Sequence, residues 1–435
     1  MSAPVDLLIT GARVLDPGSG FDAVTDVAVR DGVIDEIWPG LASDASATRR
    51  HVDGSGLLLV PGLVDLHTHV FAGGSYWGVR PDPVAALSGV TTWIDAGSAG
   101  AFTIDVFAGL LAANAVRTKA FLNVSGSGLA GQTGESVSLL NVDVDAAVEA
   151  VARHRGLICG IKVRADRNAV GPNGTEPLRR GLEVAARTRL PVMVHVGHPP
   201  PSADEVLAML RPGDIVTHCF TGATAGLVRA GATTDAARNA YDRGVIFDLG
   251  HGSGGFDFDV AEVFAAEGRW PHVISSDLHA RSLTGPAFDL PSTMMKMLAL
   301  GMPFAGVLQA VTTTPARIAG LPAGHATMTV GAPADLALFE LVDEQVVVTD
   351  AHLNRRTSPV RLTNVATFVG GRELPVGVPD DPPDWLVRTP ATERALVERR
   401  LRLRELLVGN LVAPDDLVEQ FARDTPPSPS QTGES

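Results

Sequence analysis

The chain has little of several things whose abundance would point elsewhere. Only two of its 435 residues are cysteine, Cys159 and Cys219, too few for a disulfide framework in a protein this long. Both stand in apolar, strand-like runs, so buried and reduced thiols are expected. No uninterrupted apolar stretch reaches the ~18 residues that cross a bilayer. The opening Met1-Ser2-Ala3-Pro4-Val5-Asp6 has neither the basic start nor the long apolar segment of a secretory signal. A cytoplasmic protein with no membrane partner is expected. Basic charge is also scarce: 35 Lys and Arg face 49 Asp and Glu, a net charge of −14. Phosphate binding needs basic clusters, so nucleic acid is not expected as a partner. Lysine is the scarcest charged residue, with Lys119, Lys162 and Lys296 the only three.

What is present describes a large globular protein. Hydrophobic residues make up 45% and charged residues 19%, with 46 glycines and 30 prolines, which excludes global disorder and a coiled coil. The first 60 residues alternate short apolar runs with turns such as Asp16-Pro17-Gly18-Ser19-Gly20 and Asp31-Gly32. A similar texture returns over 335–341, 346–349 and 366–369, after Gly331-Ala332-Pro333. One small sheet domain assembled from both ends is expected.

The middle has another rhythm. Strand-length apolar runs recur at 62–69, 91–97, 120–125, 157–164, 191–197, 214–220, 244–250 and 272–279. Among the segments between them, 143–155, 177–189 and 203–210 carry apolar residues at helical spacing. Eight strands alternating with helices predict an α/β protein with a (β/α)8 TIM-type barrel, whose chemistry sits at the C-terminal strand ends. A doubly wound open sheet is the alternative, but no Gly-x-Gly-x-x-Gly follows the first strand. The expected division is 1–60 and 325–379 for the two parts of a β domain, 61–324 for the barrel, and 380–435 for a helical C-terminal extension. Helices are expected over 392–408 and 414–421, ahead of a Pro/Ser-rich tail at 425–435. The leucine-bearing face of 392–408 fits packing on its own subunit or a homo-oligomer contact.

The strand ends carry the chemistry. The first ends in Asp65-Leu66-His67-Thr68-His69, where two histidines at i and i+2 point the same way and can share one ion. Lys162 ends the fourth run, His195 the fifth, His218 the sixth and Asp277 the eighth. One ligand-type residue on each of four further strands makes a metal centre, and neutral imidazoles with a carboxylate suit zinc. A protonated Lys162 would repel a cation. Burial lowers a lysine's pKa, however, and a neutral amine can add carbon dioxide. The resulting carbamate is an anion able to bridge two metals.

Other candidates lie close by. His251 stands in a glycine-rich loop after the seventh strand, placed for a substrate or transition-state contact or for a structural role. His279 faces the same way as Asp277, as a substrate contact or a support. Arg164, two residues past Lys162, could clasp a substrate carboxylate or form a salt bridge at the rim. Tyr76, Trp77 and Arg80 could line the pocket. His51, His154, His198, His272, His325 and His352 have no such placement.

With these residues in place, the chain resembles the amidohydrolase superfamily over about residues 5–375. Its strongest motif is Val60-Pro61-Gly62-Leu63-Val64-Asp65-Leu66-His67-Thr68-His69. The segments Leu8-Ile9-Thr10-Gly11-Ala12-Arg13-Val14-Leu15-Asp16-Pro17 and Gly331-Ala332-Pro333-Ala334-Asp335-Leu336 look like its β-domain signatures. The resemblance implies a small β-sandwich beside the barrel. It implies one metal on His67, His69 and Asp277, a second on His195 and His218, and a carboxylated Lys162 between them. The amidohydrolase/deacetylase subgroup, also called dihydroorotase-like, is similar through Val70-Phe71-Ala72-Gly73-Gly74, His251-Gly252-Ser253-Gly254-Gly255-Phe256 and Pro291-Ser292-Thr293-Met294-Met295-Lys296. Dihydroorotases carry an arginine two residues past the second histidine, where this chain has Phe71.

The implied activity is hydrolysis of a carbon–nitrogen amide bond in an N-acetyl or related acylated small molecule. A hydroxide bridging two Zn2+ ions would be the nucleophile, and Asp277 would take and return its proton, with His251 as a further catalytic candidate. Opening of a cyclic amide or imide and ester hydrolysis are the alternatives. A metal-free scaffold is the alternative outside enzymes, and the filled ligand set argues against it.

Overall fold

A computed structural model of the chain describes residues 5–41, 48–222, 226–377 and 379. They all belong to one compact unit, Met1–Leu386. The expected helices at 392–408 and 414–421 and the tail lie outside the described residues.

Seven parallel strands form one sheet in simple chain order: Leu63–Thr68, Val90–Gly100, Arg117–Asn123, Ile158–Ala165, Val192–Val196, Ile215–Thr217 and Ile246–Asp248. The eighth run is no regular strand. It closes the ring through single bridges, Asp248 to Val273 on one side and Thr68 to Leu278 on the other. The bonds Leu249 N–H to Val273 O and His69 N–H to Leu278 O seal the two seams at 3.0 and 2.8 Å. The expected (β/α)8 barrel is therefore present, with strands that shorten toward the last seam.

Helices cover the outside for reasons visible in their ends and faces. Helix Val144–Arg153 begins where the Asp143 carboxylate accepts from Ala146 N–H, and it buries Ala147, Ala150 and Val151. Helix Glu176–Thr188 carries Pro177 in its first turn and buries Leu178, Val184 and Ala185 along one stripe. Ser202 and Glu205 form a reciprocal capping box ahead of Ala203–Met209. Outward strand positions such as Ile161, Val163, Val194 and Val216 join these helices in the main core. Inward positions split by height. Ile94, Phe121, Cys159, Met193 and Ile215 fill the barrel interior, whereas the next inward positions on two of these strands, His195 and Thr217, reach its mouth. Both cysteines are buried and unpaired.

Strands from both ends of the chain join in a second, eight-stranded sheet. Strand Leu58–Pro61 is its hinge with the barrel. It pairs in parallel with Val5–Asp16 and antiparallel with Leu336–Thr349. One residue later the chain enters the first barrel strand, and Gly62 N–H bonds Asp335 O at 2.7 Å. The return strands are longer than the sequence suggested: Leu336–Thr349 and Arg355–Val369 pair along most of their length, with register shifts absorbing the mismatches. A separate apolar core, including Leu7, Ile9, Val27, Val29, Leu336 and Phe368, sits against this sheet. No helix among the described residues is long and apolar enough to cross a membrane.

Candidate metal centre

The C-terminal mouth of the barrel holds a cavity of about 260 Å³ lined by His67, His69, Lys162, His195, His218 and Asp277, together with Trp77, Arg164, His279 and the loop residues Ser253, Gly254 and Gly255. All six strand-end residues expected to hold metal therefore meet at one place. One ligand atom each from His67, His218 and Asp277 lies within 4.8 Å of the others. The ring centroids of His195 and His218 are 4.4 Å apart, and those of His67 and His218 are 5.2 Å apart.

Hydrogen bonds behind the rings fix which nitrogen faces the cavity. Thr217 Oγ1 donates to Asp248 Oδ2 at 2.7 Å, so toward His67 Nδ1, 2.8 Å away, it accepts. His67 thus carries its proton on Nδ1 and turns the Nε2 lone pair inward. His218 Nδ1 donates to Gly250 O at 2.6 Å, which likewise leaves its Nε2 as the unprotonated nitrogen. The Ser98 hydroxyl stands 2.9 Å from His69 Nδ1. Burial depresses the pKa of His67, His195 and His218, with further lowering from neighbouring cationic groups, so the imidazoles are neutral ligand bases.

Asp277 Oδ1 is buried and makes no hydrogen bond, yet His67 Nε2 and His69 Nε2 stand 3.4 and 3.3 Å from it. Two imidazole nitrogens turned toward one buried carboxylate oxygen are an arrangement that a divalent cation can join, so the donor set fits a metal. Asp277 and His218 also hold positive φ angles, 46° and 63°. Non-glycine residues in that region cost strain, and here both aim side chains at the shared centre.

Lys162 is buried, with Nζ 3.0 Å from His67 Nε2 and 3.5 Å from Met193 Sδ. Desolvation lowers its pKa to about 8, despite the opposing pull of Asp277 and Asp248. Gly97 makes room for it: at φ +85° a side chain there would strike Lys162 Cβ.

The three expected substrate contacts divide. His279 lines the cavity. Its Nδ1 accepts from the N–H groups of Arg281 and Ser282 at 3.2 and 3.4 Å, so its proton sits on Nε2. Its ring meets Trp77 edge-on at 5.1 Å, and burial holds its pKa at about 4. Arg164 also lines the cavity, but it sits in the rim salt bridge, 3.5 Å from Glu135 and 3.8 Å from Asp166, and donates to Gln132 O at 3.3 Å. His251 requires a correction. It is fully buried and absent from the cavity lining, and both ring nitrogens are taken, by Gly252 O at 2.9 Å and Lys296 Nζ at 2.7 Å. Neither direct substrate contact nor proton transfer by His251 fits that geometry. The glycine-rich loop does approach the cavity, but through Ser253, Gly254 and Gly255.

Sequence reasoning missed the supports beneath the ligands. Asp248 accepts from both Thr217 and Ser275, each at 2.7 Å. Asp65 accepts from Ser276 N–H and its hydroxyl and from His67 N–H. Burial raises the Asp65 pKa to about 7 and that of Asp248 to about 6. Asp95 holds Val70 N–H and Ser98 N–H at 2.8 and 2.7 Å.

A parallel barrel that gathers four imidazoles, a carboxylate and a buried lysine at its C-terminal mouth has the makings of a metallohydrolase. No family model matches the chain. A deacetylase from Brucella anthropi is 39% identical over 364 residues, covering 81% of this chain and 90% of its own length. A deacetylase from Agrobacterium fabrum is 37% identical over 358 residues, covering 81% and 87%. Among solved structures, a dihydroorotase superposes with a TM-score of 0.78 at 34% identity, covering 86% of this chain and 98% of its own. An adenine deaminase does so at 0.78 and 30%, covering 85% and 99%. The chain belongs to the amidohydrolase superfamily.

Proposed function

We propose that the protein is a deacetylase-type amidohydrolase that cleaves the C–N bond of an N-acetyl or related acylated small molecule at a two-metal site. In this reading His67, His69 and Asp277 would hold one divalent ion, His195 and His218 the other, and a carboxylated Lys162 would supply oxygen ligands to them. Zinc suits neutral imidazoles and oxygen ligands. When bound, the two ions supply Lewis acidity, which lowers the pKa of an attacking water and polarises the acyl oxygen.

The chain's own groups do the rest. Asp277 takes a proton from the attacking water and returns it to the departing nitrogen, for which a buried carboxylate without hydrogen bonds on Oδ1 is well placed. His279 offers its Nε2 proton to a substrate oxygen. Arg164, held by Glu135 and Asp166, sets the outer wall of the cavity and the polarity that a leaving group meets there. The observation that carries this reading is Asp277 Oδ1, buried and unbonded between the inward-facing nitrogens of His67 and His69. The names of the Brucella and Agrobacterium relatives support the deacetylase arm.

Cyclic amide opening is the second reading, supported by the likeness to a dihydroorotase. Phe71 weighs against a dihydroorotate-like substrate: its ring packs on Phe107 at 4.9 Å in the core, and this position offers no cation to bind a substrate carboxylate. The test is an acetate-release assay on N-acetyl amino acids beside ring-opening assays on hydantoins and dihydropyrimidines. Turnover in the first panel alone supports the proposal. Turnover confined to the second replaces it.

A further inference from the structure

Lys296 is a second deeply buried lysine, carried on helix Leu290–Ala299 and outside the metal centre. Its Nζ lies 2.7 Å from His251 Nε2 and 2.6 Å from Pro286 O. On the other side of the ring, His251 Nδ1 lies 2.9 Å from Gly252 O. A carbonyl can only accept, so Nδ1 holds the ring proton and Nε2 accepts from Lys296. His251 is thereby locked as one neutral tautomer.

The lock acts on the next peptide bond. The Gly252–Ser253 peptide is planar and trans, so its C=O and N–H point in opposite directions. With the carbonyl turned to His251, the Ser253 N–H is turned away from the ring. Ser253 lines the cavity, and its N–H has no acceptor among the described residues. The same peptide stands beside Asp277. Gly252 holds φ +51°, its N–H donates to Ser276 O at 2.9 Å, and a Cβ added there would collide with Asp277 Oδ2.

We propose that Lys296 is a positioning residue: by fixing the His251 tautomer it aims the Ser253 N–H into the cavity as a hydrogen-bond donor to a substrate oxygen. The identity of that oxygen rests on the amidohydrolase reading, whereas the tautomer lock does not.

The experiment uses metal-loaded, 15N-histidine-labelled enzyme and two-bond 1H–15N spectra, with His251→Gln to assign the His251 signals. In the wild type, His251 should show a protonated Nδ1 and an accepting Nε2, unchanged between about pH 6 and 9. In Lys296→Met that pattern should be lost. Activity on the N-acetyl substrate should fall about tenfold in kcat/KM, the worth of one substrate hydrogen bond, with metal content unchanged. A wild-type His251 protonated on Nε2, or on both nitrogens, overturns the proposal without any variant. So does a Lys296→Met enzyme that keeps either the His251 pattern or kcat/KM within about twofold of wild type. If Lys296→Met does not fold, Lys296→Gln, whose amide can still donate, should retain the pattern, and its loss there counts against the lock. An enzyme with the expected spectra and metal that hydrolyses no acylated compound refutes the hydrolase reading and leaves the lock standing.

Discussion

Thr217 ties His67 to Asp248: one hydroxyl accepts from His67 Nδ1 at 2.8 Å and donates to Asp248 Oδ2 at 2.7 Å. It is the hydroxyl's only proton that fixes the histidine's tautomer, so the cavity-facing lone pair of His67 depends on a residue 150 positions away. Thr217→Val keeps the shape and removes both bonds. Metal affinity should fall roughly 10–100-fold, the usual effect of losing the partner behind a metal-bound histidine. Competition with a chromogenic chelator measures it, and an unchanged affinity would separate His67 from this support.

Lys162 should prove more than a buried cation. Lys162→Ala should bind less metal and lose most activity. Millimolar acetate or propionate should restore part of both, since a free carboxylate can enter the space and supply two oxygens. Metal counts and rates with and without the acid decide the point. Full activity of Lys162→Ala without any added acid would remove the carbamate from the account.

Gly252 is predicted to be intolerant of any side chain. Gly252→Ala meets both a left-handed backbone and the Asp277 carboxylate. The kcat of this variant should fall about a hundredfold, as for a misplaced catalytic group, while its circular dichroism stays that of the wild type. Near-normal kcat would show that the loop yields rather than displacing Asp277.

The metal-free protein should be stabilised as pH rises above neutrality, through Lys296. Burial lowers its pKa from 10.5 to about 7, although Asp289 and Asp350 pull the other way and His251 faces it as an acceptor. Below about 7 both folded and unfolded chains carry the proton, and the folded protein bears the full cost of a buried charge. Between about 7 and 10.5 the unfolded chain holds a proton that the folded one has released, so stability rises with pH. The slope is at most about 1.4 kcal/mol per pH unit. Lys296→Met should lack this increment while retaining that of Lys162, so denaturant melts of the two proteins at several pH values isolate it. Parallel pH curves would mean Lys296 titrates normally.

Much of the barrel was legible because its strands are buried on both faces and read as apolar runs, and because a histidine at a strand end has few other uses. Even the run at 272–279 was found, although only Val273 and Leu278 bridge to neighbours. The supports were not legible. Thr217, Ser275 and Ser276 look like ordinary small residues in a strand, and their partners Asp248 and Asp65 lie far away in the chain. The burial of His251 was not legible either: its glycine neighbours reach the cavity while its own ring packs away from it, against Gly252 O and Lys296. Lysine scarcity drew notice to Lys162 and applied equally to Lys296. What lacked a signal was the fold that buries Lys296 against a histidine 45 positions earlier.

The most direct test of the two-metal hydrolase is reconstitution. Enzyme stripped with a chelator is titrated with Zn2+ while acetate release from the N-acetyl panel is followed, alongside Asp277→Asn treated identically. Turnover should be absent without metal and saturate at two ions per chain, and the Asp277→Asn protein should take up metal but stay inactive. Hydrolysis by metal-free enzyme, or full turnover by Asp277→Asn, would contradict the two-metal reading.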